Sequence, residues 1–165
     1  MKRKFLVTGG TGFLGASLVK KLLREGHEVR VLDNESRGRR NRLAEVEGQF
    51  EMKTGDIREP RFVEQAAKGC DSVVHMAFIN GTEFFYSKPE LVLEVGVKGM
   101  INVLDACKVN SIKDLILISS SEVYQEPPTI PTPENVPLII PDVHNPRYSY
   151  GGGKIISELL ALNYG

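Results

Sequence analysis

The sequence has no tryptophan, only two cysteines and no excess of either charge among its 165 residues. Cys70 and Cys107 are too few for a disulfide framework or a metal-ligand cluster, so neither is expected. Lys and Arg number 21, as do Asp and Glu, so no net charge attracts the chain to nucleic acid or to an anionic membrane. No apolar run approaches the ~18 residues of a membrane span. We therefore expect a soluble, cytoplasmic protein that binds neither nucleic acid nor membranes.

The chain instead shows an alternation of strand-like and helical segments. Five short apolar runs have strand character, at residues 5–8, 28–32, 50–54, 72–77 and 115–118. Apolar residues recur at helical spacing at 14–23, 62–68, 89–107 and beyond 154. This alternation predicts right-handed crossovers and a parallel sheet in one α/β domain covering residues 1–165. The fifth run is apolar on both faces, which predicts a fully buried strand.

Proline is concentrated in one segment: seven of the nine prolines lie between Pro127 and Pro146. Because proline lacks a backbone donor, this segment can be neither a helix interior nor a central strand. Two interpretations remain, a long surface loop and a loop that borders a ligand.

A glycine-rich turn joins the first strand to the first helix, with glycines at positions 9, 12 and 15 in a G-x-x-G-x-x-G pattern. The first permits a tight turn, the second admits a pyrophosphate close to the backbone, and the third lets the helix pack near the sheet. The helix N-terminus directs its amides and the positive end of its dipole at the phosphates. We expect a dinucleotide to contact Gly9, Gly12, Phe13, Leu14 and Gly15.

An acidic residue, Asp33, ends the second strand. Its carboxylate can accept hydrogen bonds from both hydroxyls of the adenosine ribose and would repel a 2′-phosphate, so NAD is favoured over NADP. The nearby Arg37, Arg39 and Arg40 form either a solvated basic loop or a phosphate-binding group, with Arg37 as the candidate cofactor ligand. Asp56, after the third strand, either reaches the adenine or caps the following helix.

Tyr150 and Lys154 are four residues apart, so a helix places both on one face. A neighbouring ammonium favours phenolate and is expected to lower the pKa of Tyr150. Such a pair can take the proton from a substrate hydroxyl while the adjacent carbon loses a hydride to a nicotinamide. Serines at 119–121 follow the fifth strand, at the sheet edge where α/β folds bind ligands, and one of them can hydrogen-bond that hydroxyl.

These motifs together resemble the N-terminal part of an extended short-chain dehydrogenase/reductase of the NAD-dependent nucleotide-sugar epimerase/dehydratase group. The matching segments run in the family's order, at residues 8–15, 33–34, 55–58, 74–77 and 119–124, and Tyr150 with Lys154 completes the set. The resemblance implies a Rossmann-type, doubly wound parallel sheet in three α/β/α layers. It also implies bound NAD and a nucleotide-diphosphate sugar substrate. The sugar is oxidised, usually at C4, before epimerisation, dehydration or decarboxylation.

The resemblance implies a role for each polar residue near the fifth strand and the last helix. Tyr150 is expected to be the catalytic base, and Lys154 to hold the nicotinamide ribose and tune Tyr150. Ser120 is expected to orient the sugar hydroxyl, with Ser121 as the alternative because three serines in a row leave the register open. Glu122 either handles a proton near C5 of the sugar or is an exposed loop residue.

Further residues are implied to contact the cofactor: Asn34, Ile57, Met76, Ala77 and Phe78. Of these, the three at 76–78 correspond to the segment that passes beside the ribose and nicotinamide. The neighbouring His75 is expected to be structural rather than catalytic.

Three features depart from the family pattern. Gly96 stands where members usually carry an asparagine, and Gln125 replaces a common glycine. Three glycines, at 151–153, separate Tyr150 from Lys154, although a mid-helix glycine costs up to ~1 kcal/mol relative to alanine. Either the helix begins only near Lys154, or close packing against a ligand requires residues without side chains.

Family members are longer than this chain, so it is expected to lack the last strands of the sheet and the C-terminal substrate lobe. Alone, it is expected to bind NAD weakly and to show little or no turnover. The helices at 89–109 and 154–164 are expected to pair in a homodimer, unless their apolar stripe only covers the chain's own sheet. A second hypothesis is a non-catalytic NAD(P)-binding module that senses redox state or regulates a partner.

Overall fold

Five parallel strands form the centre of the fold in the computed structural model, which describes residues 1–164. The strands are β1 (Lys4–Thr8), β2 (Glu28–Asp33), β3 (Glu51–Thr54), β4 (Ser72–His75) and β5 (Asp114–Leu117). They lie in the order β3-β2-β1-β4-β5. In register, Val7 of β1 pairs with Val31 of β2 and Val74 of β4. Because β1 is central and the chain moves outward from it in both directions, the carboxyl ends of β1, β2 and β4 meet at one edge.

Six helices connect or follow the strands: α1 (Phe13–Arg24), α2 (Pro60–Ala67), α3 (Thr82–Ser87), α4 (Pro89–Leu93), α5 (Gly99–Val109) and α6 (Ser149–Asn163). The predicted helix at 89–107 is present as α4 and α5, joined by a π-helical turn at Glu94–Lys98. The sequence did not predict α3 or the 3₁₀ helix at Arg40–Val46. Single turns of π-helix are rare and are frequently found at functional sites.

Two hydrophobic cores lie on opposite faces of the sheet, because successive side chains of a strand point to opposite sides. On one face, Val7 and Val31 pack with Ala16 and Val19 of α1 and with Leu43. The core on the other face lies beneath α2, α4 and α5, and includes Leu6, Leu32, Val63, Val73, Val92 and Val103. The three-layer α/β/α arrangement with a doubly wound parallel sheet is therefore confirmed.

The prediction that the fifth strand is buried on both faces was wrong. Within the described residues β5 pairs only with β4 and forms an edge of the sheet. Ile116 is 45% exposed as a result. An apolar run shows that its side chains favour a strand and burial, whereas actual burial also depends on the neighbouring elements that cover them.

The proline-rich segment is irregular up to a short 3₁₀ helix at Pro146–Tyr148. Its Ile139 amide donates a hydrogen bond to Val123 O (3.4 Å), and Ile140 approaches Gly152 of α6. The segment therefore lies against the start of α6 and the turn after β5. Among residues 1–164, no helix combines the length and the apolar character that crossing a membrane requires.

Candidate active site

A cleft of about 450 Å³ opens at the carboxyl ends of β1, β2 and β4. Most of the residues predicted to contact a cofactor line it: Gly9, Gly12, Phe13, Asp33, Asn34, Arg37, Asp56, Ile57, Met76, Ala77 and Phe78. The other predicted contacts, Leu14, Gly15, Tyr150 and Lys154, are outside this lining. The topology thus brings predicted residues from four separate segments to one place.

The glycine turn has the geometry that the sequence pattern requires. Gly9 adopts φ +73°, and a Cβ there would lie 2.8 Å from Ala77 N, so the backbone of the turn packs directly on the segment after β4. A Cβ on Gly15 would lie 2.8 Å from Gly10 Cα, which explains the close approach of α1 to the turn. Gly12 is the N-cap residue of α1 and faces the cleft. The first turn of α1 therefore presents its amides to any anion bound there.

Asp33 stabilises the same turn from β2. Its carboxylate accepts hydrogen bonds from the amides of Thr11 (2.9 Å) and Glu35 (2.8 Å), and the residue is 9% exposed. Each carboxylate oxygen can accept a further hydrogen bond, so the side chain can still receive ribose hydroxyls. Arg37 lines the cleft and stacks on Phe84, 5.1 Å from the ring centroid.

The arginines of this loop divide between the two interpretations. Arg40 forms an exposed ion pair with Glu47 (2.5 Å), which fits a solvated basic loop. Arg42, which the sequence did not single out, donates a hydrogen bond to Thr11 O (3.0 Å) and lines the cleft. Arg37 and Arg42 are therefore the basic side chains of this loop at the cleft.

Asp56 does not cap the helix that follows it, so that alternative was wrong. The N-cap residue of α2 is Glu59. Asp56 instead forms an ion pair with Arg58 (2.9 Å) and accepts a hydrogen bond from Asn34 (3.1 Å). The Arg58 hydrogen bonds lower the pKa of Asp56 to about 2, so its carboxylate is charged where it lines the cleft.

The floor of the cleft is held by Thr8 and His75. Thr8 Oγ1 accepts hydrogen bonds from the amides of Met76 (3.1 Å) and Ala77 (3.2 Å), and lies 2.8 Å from His75 Nδ1. Burial, followed by the charge of Lys154, lowers the pKa of His75 to about 3. The imidazole is neutral and 1% exposed, Nδ1 is hydrogen-bonded to Thr8, and Nε2 has no hydrogen-bond partner within residues 1–164, so a structural role for His75 stays a prediction.

Tyr150 lies outside the cleft lining between two phenylalanines, one of which, Phe78, lines the cleft. Phe78 meets its ring edge to face, with centroids 4.9 Å apart, and Phe85 stacks on it at 5.6 Å. Burial raises the pKa of Tyr150, and a hydrogen bond with Ser120 partly opposes that effect. Ser119 hydrogen-bonds Glu158, and Ser120 Oγ accepts a hydrogen bond from the Glu122 amide, so the choice of Ser120 over Ser121 stays a prediction.

Lys154 does not lower the pKa of Tyr150 in this structure, contrary to the prediction. Its ammonium donates a hydrogen bond to Ile118 O (2.6 Å) and lies 5.9 Å from the centroid of the Tyr150 ring. The residue is 3% exposed, and burial lowers the pKa of Lys154 to about 8 against an opposing effect of Glu158. The two side chains share a helix face, as the spacing predicts, but burial dominates the titration of both.

Glu122 is neither free nor fully exposed. Arg147 donates two hydrogen bonds to its carboxylate, at 2.8 and 3.1 Å, and packs on the ring of Phe85 at 5.3 Å. The sequence did not single out Arg147 or Phe85. Arg147 lies three residues before Tyr150 and Phe85 lies in α3, a helix without a recognisable periodic pattern. Arg147 and Phe85 are connected to the site only by contacts between distant segments, which no local sequence pattern indicates.

The glycines at 151–153 belong to α6, which begins before them at Ser149, so the alternative of a late helix start was wrong. Other atoms of the chain, from backbone or side chains, occupy the space beside each glycine. Glu122 O would lie 2.8 Å from a Cβ on Gly151, Ile140 Cδ1 3.2 Å from one on Gly152, and Phe78 Cζ 3.0 Å from one on Gly153. Close packing is therefore the physical reason for the run, and the packing partner is the chain itself.

The geometry agrees with a comparison against known families. A model of the NAD-dependent epimerase/dehydratase family matches residues 5–165. The chain belongs to this family. The resemblance inferred from the motifs is thereby confirmed.

Members of the epimerase/dehydratase family with different reactions are similar to this chain. UDP-glucuronic acid decarboxylase 1 of Danio rerio is 32% identical over 165 residues, which cover 99% of this chain and 38% of that protein. UDP-glucose 4-epimerase of Streptomyces lividans is 32% identical over 94% of this chain and 45% of that protein. The Bordetella bronchiseptica enzyme WbmG, solved in complex with NAD and UDP, superposes with a TM-score of 0.85 at 26% identity. That match covers 99% of this chain and 50% of WbmG, so the chain spans half or less of these relatives.

The residues at the cleft fit the family's cofactor, NAD. The glycine turn leaves the backbone open at Gly12, and the amides at the start of α1 suit a pyrophosphate. Asp33 supplies a carboxylate for ribose hydroxyls. Phe78 lies at the far end, next to Tyr150.

Proposed function

We propose that this chain supplies the cofactor site and the acid–base residues of a NAD-dependent enzyme that acts on a nucleotide-diphosphate sugar. The reaction begins with oxidation of a ring hydroxyl, at C4, and ends in epimerisation, dehydration or decarboxylation. One observation carries this proposal: Tyr150 and Lys154 both pack on Phe78, and Phe78 lines the cleft that fits NAD. The UDP-sugar decarboxylases and epimerases among the relatives support the substrate class.

Bound NAD supplies the acceptor for the hydride. Tyr150 takes the proton of the sugar hydroxyl at its phenolic oxygen, and Ser120 orients that hydroxyl. Because burial raises the pKa of Tyr150, the phenol requires a nearby cation to lose its proton near neutral pH. Lys154 would be that cation once its ammonium leaves Ile118 O, and the same ammonium would hold the nicotinamide ribose.

Glu122 is the proposed proton-handling residue for the second half of the reaction. Its carboxylate is bonded to Arg147 at two points, so a proton-transfer role requires that this pair loosen when substrate binds. The pair itself would keep the carboxylate in one orientation until then. This role belongs to dehydration or decarboxylation more than to simple epimerisation.

We further propose that the working enzyme has a C-terminal substrate lobe and is a homodimer through the helices at 89–109 and 154–164. Leu159 and Leu162 of α6 are 63% and 83% exposed, which is the arrangement expected for a helix that meets a partner. Replacing Leu162 with Glu should therefore convert the dimer to a monomer in analytical ultracentrifugation, whereas a Leu162→Met variant should remain dimeric.

The test of the mechanism is Tyr150→Phe in a protein that extends this chain through its substrate lobe. The variant should retain NAD binding but lose turnover of a UDP-sugar by ~10²–10⁴-fold, the usual contribution of a general base. Tyr148→Phe, which removes a hydroxyl two residues away, serves as the matched control and should keep its activity. Unchanged turnover in Tyr150→Phe would show that Tyr150 is not the base.

A non-catalytic NAD(P)-binding module is the second candidate. The bond from Lys154 to Ile118 O favours it, because this bond holds the ammonium away from the Tyr150 hydroxyl. If the extended protein binds NAD tightly but converts no UDP-sugar under any condition, and Tyr150→Phe leaves binding unchanged, this second function is the better description.

A further inference from the structure

The ring of Phe78 lies between two glycines from different elements. Phe78 follows β4 and lines the cleft, and the tip of its ring meets Gly96 in the π-helical turn and Gly153 in α6. A Cβ on Gly153 would stand 3.0 Å from Phe78 Cζ, and a Cβ on Gly96 would overlap the ring. The ring fits because neither glycine has a side chain. We refer to Phe78, Gly96 and Gly153 as the Phe78 cradle.

Ser157 joins the two glycine-bearing elements behind the ring. Its hydroxyl hydrogen-bonds Gly153 O at 2.8 Å and approaches Gly96 O at 3.4 Å, and the residue is 1% exposed. The π-helical turn is therefore connected to α6 at the level of the ring. This connection defines the width of the cradle independently of Phe78.

The faces and edge of the ring meet both members of the acid–base pair. The Lys154 ammonium lies 4.4 Å from the centroid of Phe78, and the Tyr150 ring meets Phe78 at an angle of 78°. A cation over an aromatic face is attracted to it, and the attraction is strongest where water is excluded. Both Lys154 and Tyr150 are less than a tenth exposed, so these contacts form in a dry environment.

We propose that Phe78 is a positioning residue for the acid–base pair: seated in its cradle, the ring holds the Lys154 ammonium and the Tyr150 ring in one arrangement beside the cofactor cleft. The proposal rests on the proposed function, because it concerns the same site. It also explains two departures from the family pattern together. Any side chain at Gly96 or Gly153 would occupy the volume that the ring fills.

The other groups that face the Lys154 ammonium come from α6 and β4. Glu158 lies one turn later in α6, and its charge raises the pKa of Lys154 against the larger effect of burial. His75 lies in β4 and is neutral, and Tyr150 presents its ring 5.9 Å away. A substitution at Phe78 neither adds nor removes a titratable group, so a change in the pKa of Lys154 reports the loss of the ring.

The first test measures the pKa of Lys154 in the 165-residue chain by NMR of the ¹⁵N-labelled lysine ammonium groups. The Lys154 signal is assigned by its loss in Lys154→Arg. Phe78→Leu retains an apolar group that excludes water but removes the aromatic face. We expect the pKa of Lys154 to fall by about 0.7, because the ammonium loses a favourable contact. Phe50→Leu, on the opposite face of the sheet, is the matched control and should leave it unchanged. An unaltered pKa in Phe78→Leu would mean that the ring only fills space, and would overturn the proposal.

The second test is a double-substitution cycle between Phe78 and Gly96, read as the midpoint of thermal unfolding. Gly96→Ala alone should lower the midpoint by roughly 5 °C, because the new methyl group collides with the ring. In the Phe78→Leu background the same substitution should be neutral or stabilising, since alanine is favoured in helices. Equal losses in both backgrounds would show that the ring is not seated between the glycines.

Both measurements require neither substrate nor turnover, so their outcome is independent of the Tyr150→Phe assay. If Tyr150→Phe retains activity while Lys154 responds to Phe78→Leu, the proposed function fails and the positioning contact stands. The reverse result overturns the positioning role alone.

Discussion

Acid is expected to destabilise this fold through His75, which is 1% exposed in β4. Thr8 Oγ1 already accepts hydrogen bonds from the amides of Met76 and Ala77, so its own hydrogen is donated to His75 Nδ1. The imidazole must then be neutral and carry its proton on Nε2. Burial, followed by the charge of Lys154, lowers the pKa of His75 from 6.5 to about 3.

The magnitude follows from the difference between the folded and unfolded chains. An unfolded His75 takes up a proton as the pH falls through 6.5, whereas the folded residue stays neutral until the pH approaches 3. The unfolded chain then binds one proton more, so the free energy of unfolding decreases as the pH falls. From about pH 8 to about pH 5 the loss is about 2 kcal/mol, at ~1.4 kcal/mol for each pH unit below the unfolded pKa. This value changes little as long as the folded pKa lies well below 5.

Urea unfolding of the wild-type chain and of His75→Asn across this pH range measures the loss. The asparagine Oδ1 can accept the Thr8 hydrogen bond in place of Nδ1, and it does not titrate. The stability advantage of wild type over His75→Asn should shrink by about 2 kcal/mol between pH 8 and pH 5. His144→Asn, at an exposed position, should keep the wild-type pH dependence. An advantage that does not vary with pH would refute the neutral, buried imidazole.

Three further outcomes are expected. Gly15→Ala should cost about 2 kcal/mol in urea unfolding and weaken NAD binding in calorimetry, because its Cβ would press on Gly9 and the turn; wild-type stability would contradict the glycine-turn geometry. Glu122→Gln should lower the free energy of unfolding by about 1 kcal/mol after allowance for solvent screening, but only while Arg147 is present. A double-substitution cycle measures this dependence. An equal loss from Glu122→Gln in an Arg147→Leu background would disprove the coupling. Finally, the 165-residue chain alone should bind NAD weakly in calorimetry and show little or no turnover of UDP-sugars in a coupled assay, and robust turnover would disprove the need for a further lobe.

Local patterns predicted most of the fold. Strand-like runs and helical spacing located all five strands and four of the helical regions, because each element buries one repeating set of apolar side chains. The helix α3 was missed because its six residues are too few for a period to emerge. The exposure of Ile116 was missed because it depends on which strand lies beyond β5, and an apolar run carries no such information.

The residues of the cofactor cleft were predicted more fully than the contacts around Glu122 and Lys154. The glycine turn and Asp33 act through backbone amides and one carboxylate. Both stand at fixed positions near a strand end, so a short sequence pattern is enough to predict them. The Glu122–Arg147 pair depends on contact between segments 25 residues apart. The same holds for the bond from Lys154 to Ile118 O, which spans 36 residues.

The sequence alone determined the α/β class, the family and the helix face shared by Tyr150 and Lys154, and it predicted the residues of the cofactor cleft, because these follow from motifs and spacing within short segments. Only the tertiary structure decided why glycine occupies positions 96 and 153, since both make room for a ring supplied by Phe78. It also decided the direction in which the pKa of Tyr150 moves. Burial is a property of the assembled layers, and here it raises the pKa of Tyr150, while the Lys154 ammonium one helical turn away is bonded to Ile118 O.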